Sequence, residues 1–214
     1  MDKRFLILGI GNMLWADEGF GVRCVEHLAA NYRFPDNVTL LDGGTQGIYL
    51  VHYVQDADVL VVFDAIDYGL EPGTIKLIRD DEVPKFMGAK KMSLHQTGFQ
   101  EVLSMSEFTG HYPEELLLVG IQPQLLEDFG GSLTDPVRAK MPEAMQLALD
   151  YLAERGVQAE PLEDDQQQTI PESAYSGELS LSMYEGGRPD EIDACRTGDP
   201  RFIPASAYSP EDNA

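Results

Sequence analysis

A chain of 214 residues with 43% hydrophobic content is long enough for one well-cored domain and an appendage, and too short for two large domains. Its formal charge of −22 and pI near 4.3 exclude non-specific nucleic-acid binding, because such a surface repels a polyanion. No run approaches the ~18 to 20 apolar residues that span a bilayer, and the two cysteines, Cys24 and Cys195, sit in unlike contexts, so we expect a cytoplasmic protein without membrane insertion and without disulfides.

The chain starts MDKRFLILGIGN, where basic residues precede an apolar run as in a signal peptide. That run stops at Gly9 with no small-residue cleavage site, so it reads as a strand buried on both faces. A helix follows: Phe20, Cys24, Leu28 and Tyr32 step by four, with Val25 and Ala29 widening the stripe and Arg23, Glu26 and Asn31 falling outside it. NVTLLDGG is a second strand, GIYLVHYVQD a short helix, DVLVVFDAID a third strand and GTIKLIRDDEV a fourth. HQTGFQEVLSMSEF is helical, ELLLVGIQP a fifth strand, and DPVRAKMPEAMQLALDYLAERG a closing amphipathic helix. Apolar strands alternating with helices predict a mostly parallel sheet covered on both faces.

Composition changes near residue 160. From Glu160 onward there are 13 acidic residues, 3 basic residues and 6 prolines, with no helix or strand period. Too few apolar residues cluster there to offset the entropy of ordering. The expected division is a domain over 1–158 and an acidic, disordered tail over 159–214.

In open α/β sheets the binding crevice lies outside the carboxyl ends of the strands. Asn12, Asp17 and Glu18 follow the first strand, Asp42-Gly43-Gly44-Thr45 end the second, Asp64 and Asp67 close the third, and Ser93-Leu94-His95-Gln96 precede a helix. Carboxylates and a histidine thus share one edge. The stretch GIGNMLWADEGFG has Leu14 where a dinucleotide fingerprint needs glycine, and acid where a pyrophosphate would sit, which excludes that use. Asp17 reads as a helix N-cap or a complement to the helix dipole. Asp64 ends VLVVFD, and a carboxylate buried in an apolar strand needs a partner, most economically a cation. Histidine with two carboxylates suits zinc, nickel or a similar ion and leaves a position for substrate, although residues spread over 78 positions form no spacing motif. His27, His52 and His111 read as surface or satisfied residues, and Cys24 as a small buried hydrophobe. Cys195 lies among acids that raise a thiol pKa, and Ser93 has no G-x-S-x-G elbow and no third partner.

Taken together, LGIGNMLWADEGFGVR, LLDGGTQG, VVFDAID, PGTIKLIRDDEVP, SLHQTG and LLLVGIQP closely resemble the maturation endopeptidases of nickel-iron hydrogenases, over about residues 4 to 155. The resemblance implies a three-layer α/β/α sandwich around a twisted, mostly parallel five-stranded sheet. It further implies an endopeptidase, aspartic-type or metal-dependent, that removes the C-terminal extension of the nickel-loaded large-subunit precursor. On this chain the family's metal-binding positions fall on Glu18, Asp64 and His95, and a further functional carboxylate on Asp42. The metal is nickel, carried by the substrate or bound at the site, with zinc or cadmium able to substitute in vitro. A chaperone that grips the same precursor without cutting it is the alternative.

Overall fold

The computed structural model describes residues 3–87, 94–126 and 128–162, and of residues 85–87 and 94–97 the backbone alone. In chain order the elements are β1 (Phe5–Ile10), α1 (Phe20–Asn31), β2 (Tyr32–Arg33), β3 (Val38–Gly44), α2 (Val51–Asp56), β4 (Val59–Ala65), β5 (Ile75–Arg79), α3 (Glu82–Met87), α4 (Leu94–Phe108), β6 (Glu115–Ile121), α5 (Asp135–Ala153) and β7 (Glu160–Pro161). Two 3-10 turns, Ala16–Gly19 and Gly47–Leu50, lead into α1 and α2.

β3, β1, β4, β6 and β5 form one sheet in that spatial order. The first four run parallel, and β5 runs antiparallel on β6. β1 and β4 are buried at every position, because helices cover both sides of the sheet. Alternation along the strands divides the side chains into two cores. Phe5, Ile7, Val59, Val61 and Phe63 pack with residues of α1 and α5. Leu6, Leu8, Leu60 and Val62 pack on the opposite face with residues of the turn at 47–50, α2 and α4. Each such side chain contributes roughly 1.5–3 kcal/mol on burial, so the two cores hold the sheet and its helices together.

α1 lies unusually close to that sheet. A Cβ at Gly9 would collide with the carbonyl of Gly21, and a Cβ at Gly21 with the carbonyls of Phe63 and Ile10. Paired glycines let the start of α1 rest on backbone, which carries the preceding turn down to the strand ends.

Two segments depart from the expected pattern. DEV, read as the end of the fourth strand, instead opens α3, because Asp80 turns the chain in a left-handed conformation (φ 46°) and Pro84 falls in the first turn of the helix, where proline is tolerated. Glu160 and Pro161 pair with Arg33 and Tyr32, and the Leu162 amide donates to the Asn31 carbonyl at 2.8 Å. The folded body therefore extends through Leu162, past the expected boundary at 158. The remainder of the acidic segment, with Cys195, lies outside the described residues, as does Ser93. Among the described residues no helix is long and apolar enough to cross a membrane.

Candidate active site

The loop leaving β1 is built for a sharp descent. Asn12 accepts from the Leu14 amide through Oδ1 at 3.0 Å, and Ala16 takes a left-handed φ of 41°, which an L-residue adopts only when its surroundings enforce it. The next residue is wholly buried. Asp17 accepts four hydrogen bonds: Gln124 N and Leu125 N reach Oδ2 at 2.8 and 3.0 Å, Thr134 N reaches Oδ1 at 2.7 Å, and Thr134 Oγ1 reaches Oδ2 at 2.9 Å. Asp17 is thus not a helix cap, as its place in the sequence suggested. No side chain caps the turn, and the Asp17 carboxylate instead ties down the loop between β6 and α5. Glu18 follows it, half-buried, in the same turn at the edge of β1.

Asp64, also fully buried, stands in β4 one residue from its end. Alternation places it on the face of Leu60 and Val62, the side covered by α2 and α4. Across the sheet its register partner is Gly120, and the Tyr68 hydroxyl occupies the space where a Cβ at Gly120 would be. The Tyr68 phenol is pushed well above its ordinary range, first by burial and then by the Asp64 charge, so it stays protonated beside the carboxylate.

α4 starts on the same face. His95 belongs to its first turn, and its side chain lies outside the described residues. The helix is anchored one turn later, where a Cβ at Gly98 would meet the Gly47 Cα at 3.3 Å. Thus the structure sets Asp64 and the start of α4 on one side of the sheet, with the Glu18 turn at the end of the neighbouring strand. Among the residues whose side chains are described, no three His, Cys, Asp or Glu form a metal-holding group, and His95 is not among those residues.

Asp42 faces the other way. It pairs in register with Gly9, whose missing side chain would point at α1, and lies within electrostatic reach of Arg23 and Glu26 on that helix. Burial pushes its carboxyl up to about 6; the hydrogen bond from the Gly44 amide (2.7 Å) and the Arg23 charge lower it, while Glu26 raises it. Arg23 is buried and pairs with Glu26 at 2.7 Å. Asp67 serves its own loop, accepting from the Gly69 amide at 2.9 Å and from Gln122 Nε2 at 3.0 Å. Cys24 is fully buried, and burial raises its thiol well above the usual range, which suits a core residue.

The family model of hydrogenase maturation proteases matches residues 22–151, more than half of the chain. The chain belongs to the hydrogenase maturation protease family. Hydrogenase expression/formation protein HoxM of Azotobacter vinelandii is 64% identical over 199 residues, which cover 93% of this chain and 94% of that protein. Hydrogenase 2 maturation protease of Escherichia coli K12 is 45% identical over 161 residues, 75% of this chain and 97% of that one. Among solved structures, the hydrogenase maturating endopeptidase HybD from E. coli superposes with a TM-score of 0.70 at 44% identity, over 74% of this chain and 97% of that one. As a member of the hydrogenase maturation protease family the chain is an endopeptidase, and its five-stranded sheet with helices on both faces is the fold of that neighbour.

Several polar residues of this maturation protease were not singled out from its sequence. Gln122 is buried past the end of β6 and gathers the Tyr68 and Leu70 amides on Oε1 at 2.7 and 3.1 Å. Thr134 gives Asp17 two of its four donors, and Arg23, expected outside the α1 stripe, is instead a buried charge within it. Only Arg23 left a local trace, as a cation one position from Cys24. An apolar rim completes the loops: Leu14, Trp15, Leu125 and Phe129 are exposed, with Trp15 and Phe129 edge to face at 5.4 Å.

Proposed function

We propose that this maturation protease acts in the cytoplasm on the nickel-loaded large-subunit precursor of a nickel-iron hydrogenase and removes its C-terminal extension. Glu18, Asp64 and His95 grip the nickel that the precursor presents. The observation that carries this reading is Asp64: a wholly buried carboxylate at the end of a central strand, on the face where α4 begins and beside the turn that bears Glu18. Removing a carboxylate from water is costly, and a divalent cation delivered by the substrate compensates it, with Glu18 and His95 as two more donors suited to nickel.

Such a site discriminates by what the substrate brings. A precursor without nickel offers nothing to three convergent donors and loses that binding energy, so only the loaded form is held with its scissile bond in place. Bound nickel also supplies a Lewis acid for the peptide carbonyl or for a water. The protein's share is to fix the donors and exclude bulk water. Asp42, on the opposite face of the sheet, acts through the Gly43–Gly47 segment that reaches α4, without touching the metal.

The test is purified enzyme with nickel-loaded precursor, followed by intact mass. Wild type shortens the precursor, whereas a non-cleaving chaperone leaves its mass unchanged. Asp64→Asn and His95→Ala are expected to remain folded by circular dichroism and to slow processing at least 100-fold. Ordinary processing by both variants refutes the assignment.

A further inference from the structure

We infer that Asp17 is a positioning residue of the site, a buried latch that couples the placement of Glu18 to the seating of residues 124–125 and 130–134 against the same turn. The inference rests on the assignment of Glu18 to the nickel-binding set, and it adds a loop and a residue which that assignment does not use.

The latch has two layers. Backbone bonds zip the turn to the loop: Ala16 N to Gly131 O (3.2 Å), Asp17 N to Leu125 O (3.1 Å) and Gly130 N to Leu14 O (2.8 Å). Inside that zip, the Asp17 carboxylate takes three amides and a hydroxyl, three of these donors on Oδ2 and one on Oδ1. Charge-assisted bonds of this kind are short and directional, and their donors come from both ends of the loop, at Gln124 and Leu125 and again at Thr134. Loop and turn therefore share one buried acceptor, and neither can shift alone without leaving donors unsatisfied away from water.

Glu18 is held through this arrangement by the geometry of the turn. In a 3-10 turn with three residues per revolution, neighbouring side chains point about 120° apart. Driving Asp17 inward beneath the loop fixes the direction in which Glu18 leaves the backbone. The left-handed Ala16 next to it supports the same conclusion, because that backbone is costly alone and persists where the contacts around it dictate one conformation. Glu18 N also donates back to Trp15 O at 2.9 Å, closing the turn beneath it.

Three variants of the full chain test the latch: Asp17→Asn, Thr134→Val and Glu18→Gln, each assayed by steady-state cleavage of nickel-loaded precursor and by amide hydrogen exchange of the free protein. Asp17→Asn keeps the shape but halves the acceptor oxygens. It is expected to lower kcat at least 10-fold with KM within about threefold, and to speed exchange at least 10-fold in residues 14–19 and 124–134 together while β4 keeps its protection. Thr134→Val, which removes only the hydroxyl, should show the same local pattern with a 3- to 10-fold loss of kcat, and it decides the matter if Asp17→Asn does not fold. Unchanged kcat despite faster local exchange overturns the latch, as does faster exchange throughout the sheet, which marks a general loss of stability. An inactive Glu18→Gln beside a fully active Asp17→Asn rejects the latch alone; a fully active Glu18→Gln removes the nickel-binding assignment and the latch with it.

Discussion

Gly21 carries more of this fold than its lack of a side chain suggests. Its Cα lies against the carbonyls of Phe63 and Ile10, both backbone in the middle of the sheet, so an added methyl has no flexible neighbour to displace. Gly21→Ala is expected to cost about 3 kcal/mol or more, as overpacking against an unyielding partner does, and urea unfolding monitored by circular dichroism measures it; a loss below 1 kcal/mol would show that α1 can lift off the sheet freely. Asp42 sets a pH dependence. Its carboxyl is raised to about 6 in the fold from an ordinary 3.8, so the folded chain holds that proton more tightly than the unfolded chain. By linkage its contribution to stability falls as pH rises from about 4 to about 6. Asp42→Asn should flatten that limb in unfolding curves at pH 4.5 and pH 7, and an unchanged slope would contradict the burial that raises the group. At this scale the sequence was informative where burial was local: Asp64 ends an unbroken apolar strand, and that alone marked it. Asp17 misled because its four donors lie more than 100 positions along the chain, and no local pattern distinguishes a cap from a latch. The facing of Asp42 was equally hidden, since it depends on pairing with Gly9 just before the register shifts.

Elements were legible to the extent that their periods were unmixed. The unbroken apolar runs at β1, β4 and β6 translate directly into buried strands, and the steps Phe20, Cys24 and Leu28 into the buried face of α1, whereas Tyr32, expected as the next step, lies past the helix in β2. β5 was legible as a strand but not in direction, although the reason was present: only nine residues separate Ala65 from Ile75, and a parallel return needs a dozen or more, usually with a helix. Its far end is held by Asp80. The amide of that residue donates to Leu116 O at 2.8 Å, its Oδ1 accepts from Leu116 N at 2.9 Å, and its φ of 46° suits aspartate better than most residues. Asp80→Ala removes the side-chain bond and keeps an unfavourable backbone, so a loss of about 1–2 kcal/mol is expected. Exchange at the Leu116 amide should rise by at least tenfold as β5 frays from β6. Should that amide stay protected, the edge strand is held by its ladder alone.

Across the whole molecule, the comparisons separate catalysis from charge. E. coli hydrogenase 2 maturation protease is matched over 97% of its length by 75% of this chain, so a family member works with little beyond the body described here. HoxM of A. vinelandii matches 199 residues, more than the 162 at which the described residues end, and its similarity therefore runs well into 163–214. That segment holds 12 of the 37 acidic residues and 3 of the 15 basic ones, a large share of the net charge in a quarter of the length. Like charges joined to a compact body repel it, and salt weakens the repulsion over a Debye length of about 10 Å at 0.1 M. A chain ending at Leu162 is accordingly expected to cleave precursor with kcat within about twofold of the full chain, and to gain less in Tm than the full chain when NaCl rises from about 20 to 300 mM. Ending the chain at residue 158 instead should cost a further 1–2 kcal/mol or so, because it removes the β2–β7 pairing and the bond from Leu162 N to Asn31 O. Loss of cleavage in the chain ending at Leu162 would move part of the catalytic apparatus into the acidic segment; equal gains in Tm with salt would show that its charge does not act on the body at all.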